Sequence, residues 1–72
     1  MIALSSVSPG TSGMVASLAT NDPARLNRLL AMGISPGVNL HLEKRFPSYV
    51  IRSGRSRAAL DEAIANVIYI QP

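Results

Sequence analysis

The chain has no cysteine, so neither a disulfide framework, a thiolate zinc site nor a thiol redox motif is available to it. Aromatic residues amount to 4% of the 72 residues, and the three are Phe46, Tyr49 and Tyr69. Barrel-type nucleic-acid binders interleave exposed aromatics with basic residues, and here some of the few aromatics must serve a core, so no nucleic acid is expected as partner. No apolar run approaches the ~20 residues that span a bilayer. The N-terminal Met1-Ile2-Ala3-Leu4-Ser5-Ser6 has no basic region ahead of a long apolar stretch, so no signal peptide is expected. Catalytic signatures are missing as well. The chain has no Gly-x-Ser-x-Gly elbow, Walker loop or dinucleotide fingerprint, and its single histidine has no evident acid partner. We expect no enzyme and no cofactor.

What is present is a globular composition, with 47% hydrophobic and 15% charged residues. The length allows one domain, spanning 1–72. A domain this small buries only about 60% of the surface its unfolded chain exposes, so its stability is thin. Self-association is compatible with such a domain. The net charge of +3 favours solubility and biases association without naming a partner.

Turn signals divide the chain into short elements. After Pro9-Gly10, residues 13–19 read as a strand with Met14, Ala16 and Leu18 on one face. Asn21-Asp22-Pro23 reads as a helix start, with Asp22 as the cap and Pro23 at the first helical position. Leu26, Leu29 and Leu30 form one apolar stripe, and Gly33 ends the helix in a left-handed conformation, giving a helix over 23–32. Ser35-Pro36-Gly37 is a second turn. In the strand that follows, Val38, Leu40 and Leu42 alternate with Asn39, His41 and Glu43. Residues 49–52 are β-branched and aromatic, Ser53-Gly54 is a tight turn, and 57–60 forms a further short strand. Asp61-Glu62-Ala63 starts a helical turn, and 67–70 is the closing strand. This order predicts a mainly β fold, a small closed or half-closed barrel of about five strands with one short α-helix after the first strand. Closure would remove exposed edges.

These residues, in this order, resemble the ferrous-iron transport protein A family. Its domains open with a Pro-Gly turn and a Gly-x-Val strand, here Pro9-Gly10 and Gly13-Met14-Val15. They continue with a short helix and a Leu-Gly-Leu-x-Pro-Gly hinge, here Met32-Gly33-Ile34-Ser35-Pro36-Gly37. They close with a Gly, an Ala-Leu pair and an Ala-x-x-Ile-x-Val strand, here Gly54, Ala59-Leu60 and Ala65-Asn66-Val67-Ile68-Tyr69-Ile70. Met32 and Ile34 stand where leucines are usual, and Asp61-Glu62 where a basic residue is common. The resemblance covers essentially the whole chain and implies an SH3-like barrel. It also implies a small cytoplasmic accessory of bacterial iron uptake, at the inner membrane only through its partner. That partner is the cytoplasmic GTP-binding region of the membrane ferrous iron transporter. The C-terminal SH3-like domain of diphtheria-toxin-repressor-type metalloregulators is similar too. Those chains carry a DNA-binding domain upstream, for which a chain starting at Met1 leaves no room, so a metal-sensing repressor domain is the alternative, with a small nucleic-acid-binding barrel behind it.

The candidate residues follow. His41 and Glu43, two apart on one strand face, are the candidate pair for a metal, although a tight site needs three or four converging ligands. Lys44, Arg45, Arg52, Arg55 and Arg57 crowd one stretch of sequence and suit an acidic partner surface. The expected contact residues are Met32, Ile34 and Pro36 at the hinge, where Met32 and Ile34 are read as partly exposed, together with Arg45, Arg52 and Arg55. Pro9, Gly10, Gly33, Gly37 and Gly54 are read as structural turns.

Overall fold

The computed structural model describes residues 1–72. Six antiparallel strands form one sheet: β1 (Ile2–Ala3), β2 (Ser12–Leu18), β3 (Asn39–Lys44), β4 (Tyr49–Ser53), β5 (Ser56–Leu60) and β6 (Ile68–Gln71). Their order across the sheet is β1-β6-β2-β3-β4-β5. Helix α1 (Pro23–Ala31) connects β2 to β3, and the single-turn α2 (Glu62–Ala65) connects β5 to β6.

The mainly β class with one short helix is as expected, with one difference in strand count. There are six strands rather than about five, and the helix follows the second of them. The additional strand is β1, which pairs Ile2 with Ile70 and Ala3 with Tyr69. A two-residue strand has no alternation to read; it exists only through its partner. A 3-10 turn over Leu4–Ser6 follows it and places Leu4 in the core, fully buried. The sheet stays open, with β1 and β5 at its two ends.

In β2, Val15 points into the core and Met14 is exposed, yet Leu18, which strict alternation puts on the face of Met14, packs against the core as well. A bulge between Val15 and Ser17 supplies the reason. Val15 lies opposite Ile70, Ser17 opposite Tyr69 and Leu18 opposite Ile68, so Ala16 is an extra residue. One inserted residue breaks the period of two, and Val15 and Leu18, three apart, reach the core together.

Helix α1 forms for the reasons its sequence gives. The Asp22 carboxylate accepts from the Ala24 amide at 3.0 Å, and Pro23 occupies the first turn. Its C-terminus is a Schellman closure, with Gly33 at φ 82°, its amide donating to Leu30 at 3.0 Å, and the Ile34 amide donating to Leu29 at 2.9 Å. The side chains on either side of that last bond, Leu29 and Ile34, are both buried, which fastens the helix end to the barrel.

The core is one cluster of 14 buried residues drawn from strands β2 to β6, the 3-10 turn, both helices and the connecting residues Val7 and Ile34, with Leu4, Leu29, Leu42, Ala65 and Ile68 fully enclosed. β2 passes close over β6 at Gly13. A Cβ there would lie 3.0 Å from Ile70 Cδ1 and 3.1 Å from the Gln71 carbonyl oxygen. The side-chain atom can turn aside, but the backbone oxygen cannot without disturbing the ladder. Gly13→Ala is therefore expected to destabilise the fold by about 1–3 kcal/mol, the scale of overpacking a dense core. In a domain of this size that is a Tm lower by roughly 7–20 °C, read by thermal denaturation.

Candidate functional site

The strand registers determine which candidate residues meet. Leu40 and Leu42 of β3 are buried, so Asn39, His41 and Glu43 face outward. On that outer face Ser12, His41, Arg52 and Arg57 line up across β2, β3, β4 and β5. The Ser12 hydroxyl and His41 Nδ1 are hydrogen-bonded at 2.7 Å. Glu43 lies beside the row. Its carboxylate takes Arg57 Nε at 2.9 Å and Arg52 Nη1 at 3.5 Å, and a second Arg57 nitrogen donates to it at 3.3 Å.

This placement changes the reading of His41 and Glu43. They share a face as expected, but Nδ1 is engaged with Ser12, and the carboxylate stands between two guanidinium groups that repel a cation. No three His, Cys, Asp or Glu side chains gather at one place. Glu43 instead answers a local conflict. Arg52 and Arg57 are directly opposite each other in the β4–β5 ladder, a like-charge pair that destabilises a sheet.

The basic residues close in sequence do not form one patch. β4 separates the two turns that flank it by about 17 Å at ~3.3 Å per residue. Arg45 lies at the β3–β4 end, where its guanidinium donates to the Ser5 carbonyl at 2.8 Å and sits 6.0 Å from the centre of the Tyr49 ring. Phe46, beside it, is 86% exposed. Arg55 lies at the opposite end, in the two-residue turn between Ser53 and Ser56 where Gly54 takes φ 60°.

The hinge sits at the Arg55 end. Continuing the pairing of His41 with Arg52 brings Asn39, the first residue of β3, beside Gly54. The turn Ser35–Val38 that leads into β3 is held against β2, with the Gly37 amide donating to Val15 O and the Val15 amide to Val38 O, both at 2.8 Å. Pro36 is exposed and Met32 half-buried against the core. Ile34 is 1% exposed, which corrects its expected place on a contact surface. As the hydrophobic partner in the helix closure it faces inward, and a short hinge sequence gives no sign of that direction. Pro36 and Arg55, expected together on one contact surface, fall at the same end of the sheet by this register, whereas Arg45 does not.

The curled antiparallel sheet with its 3-10 turn, the helix between β2 and β3 and the single-turn helix before β6 defines an SH3-like β-barrel domain, and solved structures have the same fold. An iron uptake regulatory protein, FeoA, superposes with TM-score 0.87 at 23% identity, covering 97% of this chain and 93% of that one. A zinc-complexed FeoA from Stenotrophomonas maltophilia, described as a prokaryotic SH3 domain protein, superposes with TM-score 0.85 at 22% identity over 99% of this chain and 91% of that one. A manganese-dependent transcriptional repressor gives TM-score 0.86 at 24% identity over 93% of this chain, which spans only 39% of the repressor. Comparison with curated proteins gives no match. The FeoA domain model matches residues 2–72, and the chain belongs to that family.

The Glu43 cluster carries a direct test. Glu43→Gln leaves Arg52 opposite Arg57 with no counter-charge. A loss of about 0.5–1 kcal/mol is expected, kept small by the exposure of both arginines. Chemical denaturation checks it, and the difference from wild type should shrink as salt rises.

Proposed function

We propose that this protein is a non-enzymatic accessory of bacterial ferrous iron uptake that binds the cytoplasmic GTP-binding region of the membrane iron transporter. Membership of the FeoA family supports the setting, and the Stenotrophomonas relative is described as a candidate ferrous iron transport activating factor. No helix of the chain is long and apolar enough to cross a membrane. The observation that carries the reading is the register, which puts the start of β3, reached through the hinge turn, at the same end of the sheet as the β4–β5 turn. That end offers the exposed Pro36, part of Met32, Arg55 in its turn and Arg52 on β4. Arg55 has no ion-pair partner within the chain, whereas Arg52 is shared with Glu43. An acidic surface on the partner gains a free guanidinium at Arg55 without dismantling an existing pair. Arg45, drawn back onto Ser5 at the other end, is left out of this surface.

For the accessory to regulate transport, its affinity must differ between the transporter's nucleotide states. The test is its affinity for the isolated cytoplasmic GTP-binding domain in apo, GDP and GTP-analogue forms. Nucleotide-dependent binding is expected. Arg55→Ala should weaken it about tenfold, the equivalent of about 1.4 kcal/mol, with Arg45→Ala nearly neutral. Absence of binding in every nucleotide state would falsify the proposal.

The likeness to the manganese-dependent repressor favours a second reading, a metal-sensing domain. A bound metal stabilises the folded state by about 2.7 kcal/mol at a concentration one hundred times its Kd. With His41 and Glu43 engaged as described, no rise in Tm with Mn(II) or Fe(II) is expected. A clear rise that is lost in His41→Ala would favour the sensor.

A further inference from the structure

β5 is the long open edge of the sheet. It pairs only with β4, and no backbone hydrogen bond beyond the sheet's own ladders involves residues 56–60. The other edge, β1, is two residues long and turns at once into the 3-10 turn. Natural sheets blunt such edges with proline, bulges or charged side chains, lysine above all. β5, Ser-Arg-Ala-Ala-Leu, has no proline or lysine; its one charge, Arg57, is paired with Glu43, and its register with β4 is regular from Ser56 to Leu60.

The register also tells which groups are free. The two-residue turn makes Ser53 and Ser56 a hydrogen-bonded pair, and the alternation of an antiparallel ladder makes Ile51–Ala58 and Tyr49–Leu60 the next two. Arg57 and Ala59 therefore direct their N–H and C=O groups away from β4, out of the edge.

We propose that this edge is a self-pairing surface that takes β5 of a second copy of the chain, antiparallel, about a twofold axis at Ala58. In that register Arg57 of each copy lies opposite Ala59 of the other, and these are the residues whose backbone groups are free. Two such pairs satisfy four donors and four acceptors. Ala58 meets its own counterpart in the closer, non-bonded position, where a small side chain fits. No like charges are opposed, because each arginine faces an alanine. A second copy is thus matched in hydrogen-bond phase, side-chain size and charge together. The strands are short and the area falls below the ~1,200 Å² of a stable complex, so the dimer is weak and forms as concentration rises.

The test is sedimentation equilibrium over a concentration series, with three substitutions at exposed Ala59. Ala59→Glu sets a carboxylate opposite the partner's Arg57 twice per dimer and should tighten dimerisation about fivefold at low salt. Ala59→Lys opposes like charges and should weaken it by a similar factor. Ala59→Pro removes an N–H that β4 does not use, a position where an edge strand tolerates proline, and should abolish the dimer. Amide exchange followed by NMR gives a readout without mutation: protection of Arg57 and Ala59 should increase with concentration, while Ala58 stays protected throughout. A wild type that is monomeric at every concentration, or a dimer indifferent to all three substitutions, overturns the proposal. Neither measurement involves the transporter, so the outcome is independent of the function proposed above.

Discussion

Two backbone hydrogen bonds between Val15 and the Ser35–Val38 turn fix the arrangement on which the surface depends. One runs from the Gly37 amide to Val15 O and the other from the Val15 amide to Val38 O. They tie the exit of the hinge to the centre of β2, which is bonded on its other side to β6. The start of β3 is thereby set, and with it the registers of β4 and β5. Gly37 makes this closure at φ 96°, a conformation that other residues reach only with strain. The hinge turn and the β4–β5 turn fall at the same end of the sheet because the chain is bonded in this way.

The sequence carried the parts whose causes are local. Asp22, Pro23 and Gly33 announce a helix start and stop through their own chemistry, and α1 begins and ends where they say. Leu40 and Leu42 alternate with polar neighbours, and β3 forms with them inward. The parts it did not carry have non-local causes. β1 exists only because Ile2 and Ala3 meet β6. The phase of β2 turns on a bulge, and nothing in Val15-Ala16-Ser17 distinguishes an inserted residue from a paired one. Ile34 looks like an exposed hinge residue until its amide is found on Leu29. The basic residues from Lys44 to Arg57 look like a cluster until β4 is seen to hold their two turns apart. In the candidate site, residue types were legible and groupings were not, because grouping is a property of register.

Charge follows the same division. Glu43 is the only acidic residue between Asp22 and Asp61, and its alternation with Leu42 marks it as an outward strand residue. The sequence offers it as one member of a metal pair. The register instead gives it two arginines on neighbouring strands that face each other and lack another counter-ion. Two guanidinium groups beside the carboxylate repel an approaching cation, so the residue that invited a metal reading in one dimension opposes it in three.

The separation of surfaces bears on how so small a domain serves proteins of different architecture, filling most of some FeoA proteins and a minor part of a repressor chain. Its core uses the inner face of the sheet and the two helices. That leaves the hinge end, the β5 edge and the outer face to be used separately. At ~3.3 Å per residue, Arg55 lies about 10 Å along the strand axis from Ala58. Pairing about Ala58 would leave the two Arg55 turns roughly 20 Å apart along that axis, facing opposite ways, with neither hinge covered. Such a dimer presents two copies of one docking surface. Its gain in avidity would depend on whether a partner displays sites at that spacing, since linked binding is lost when geometry forbids simultaneous engagement.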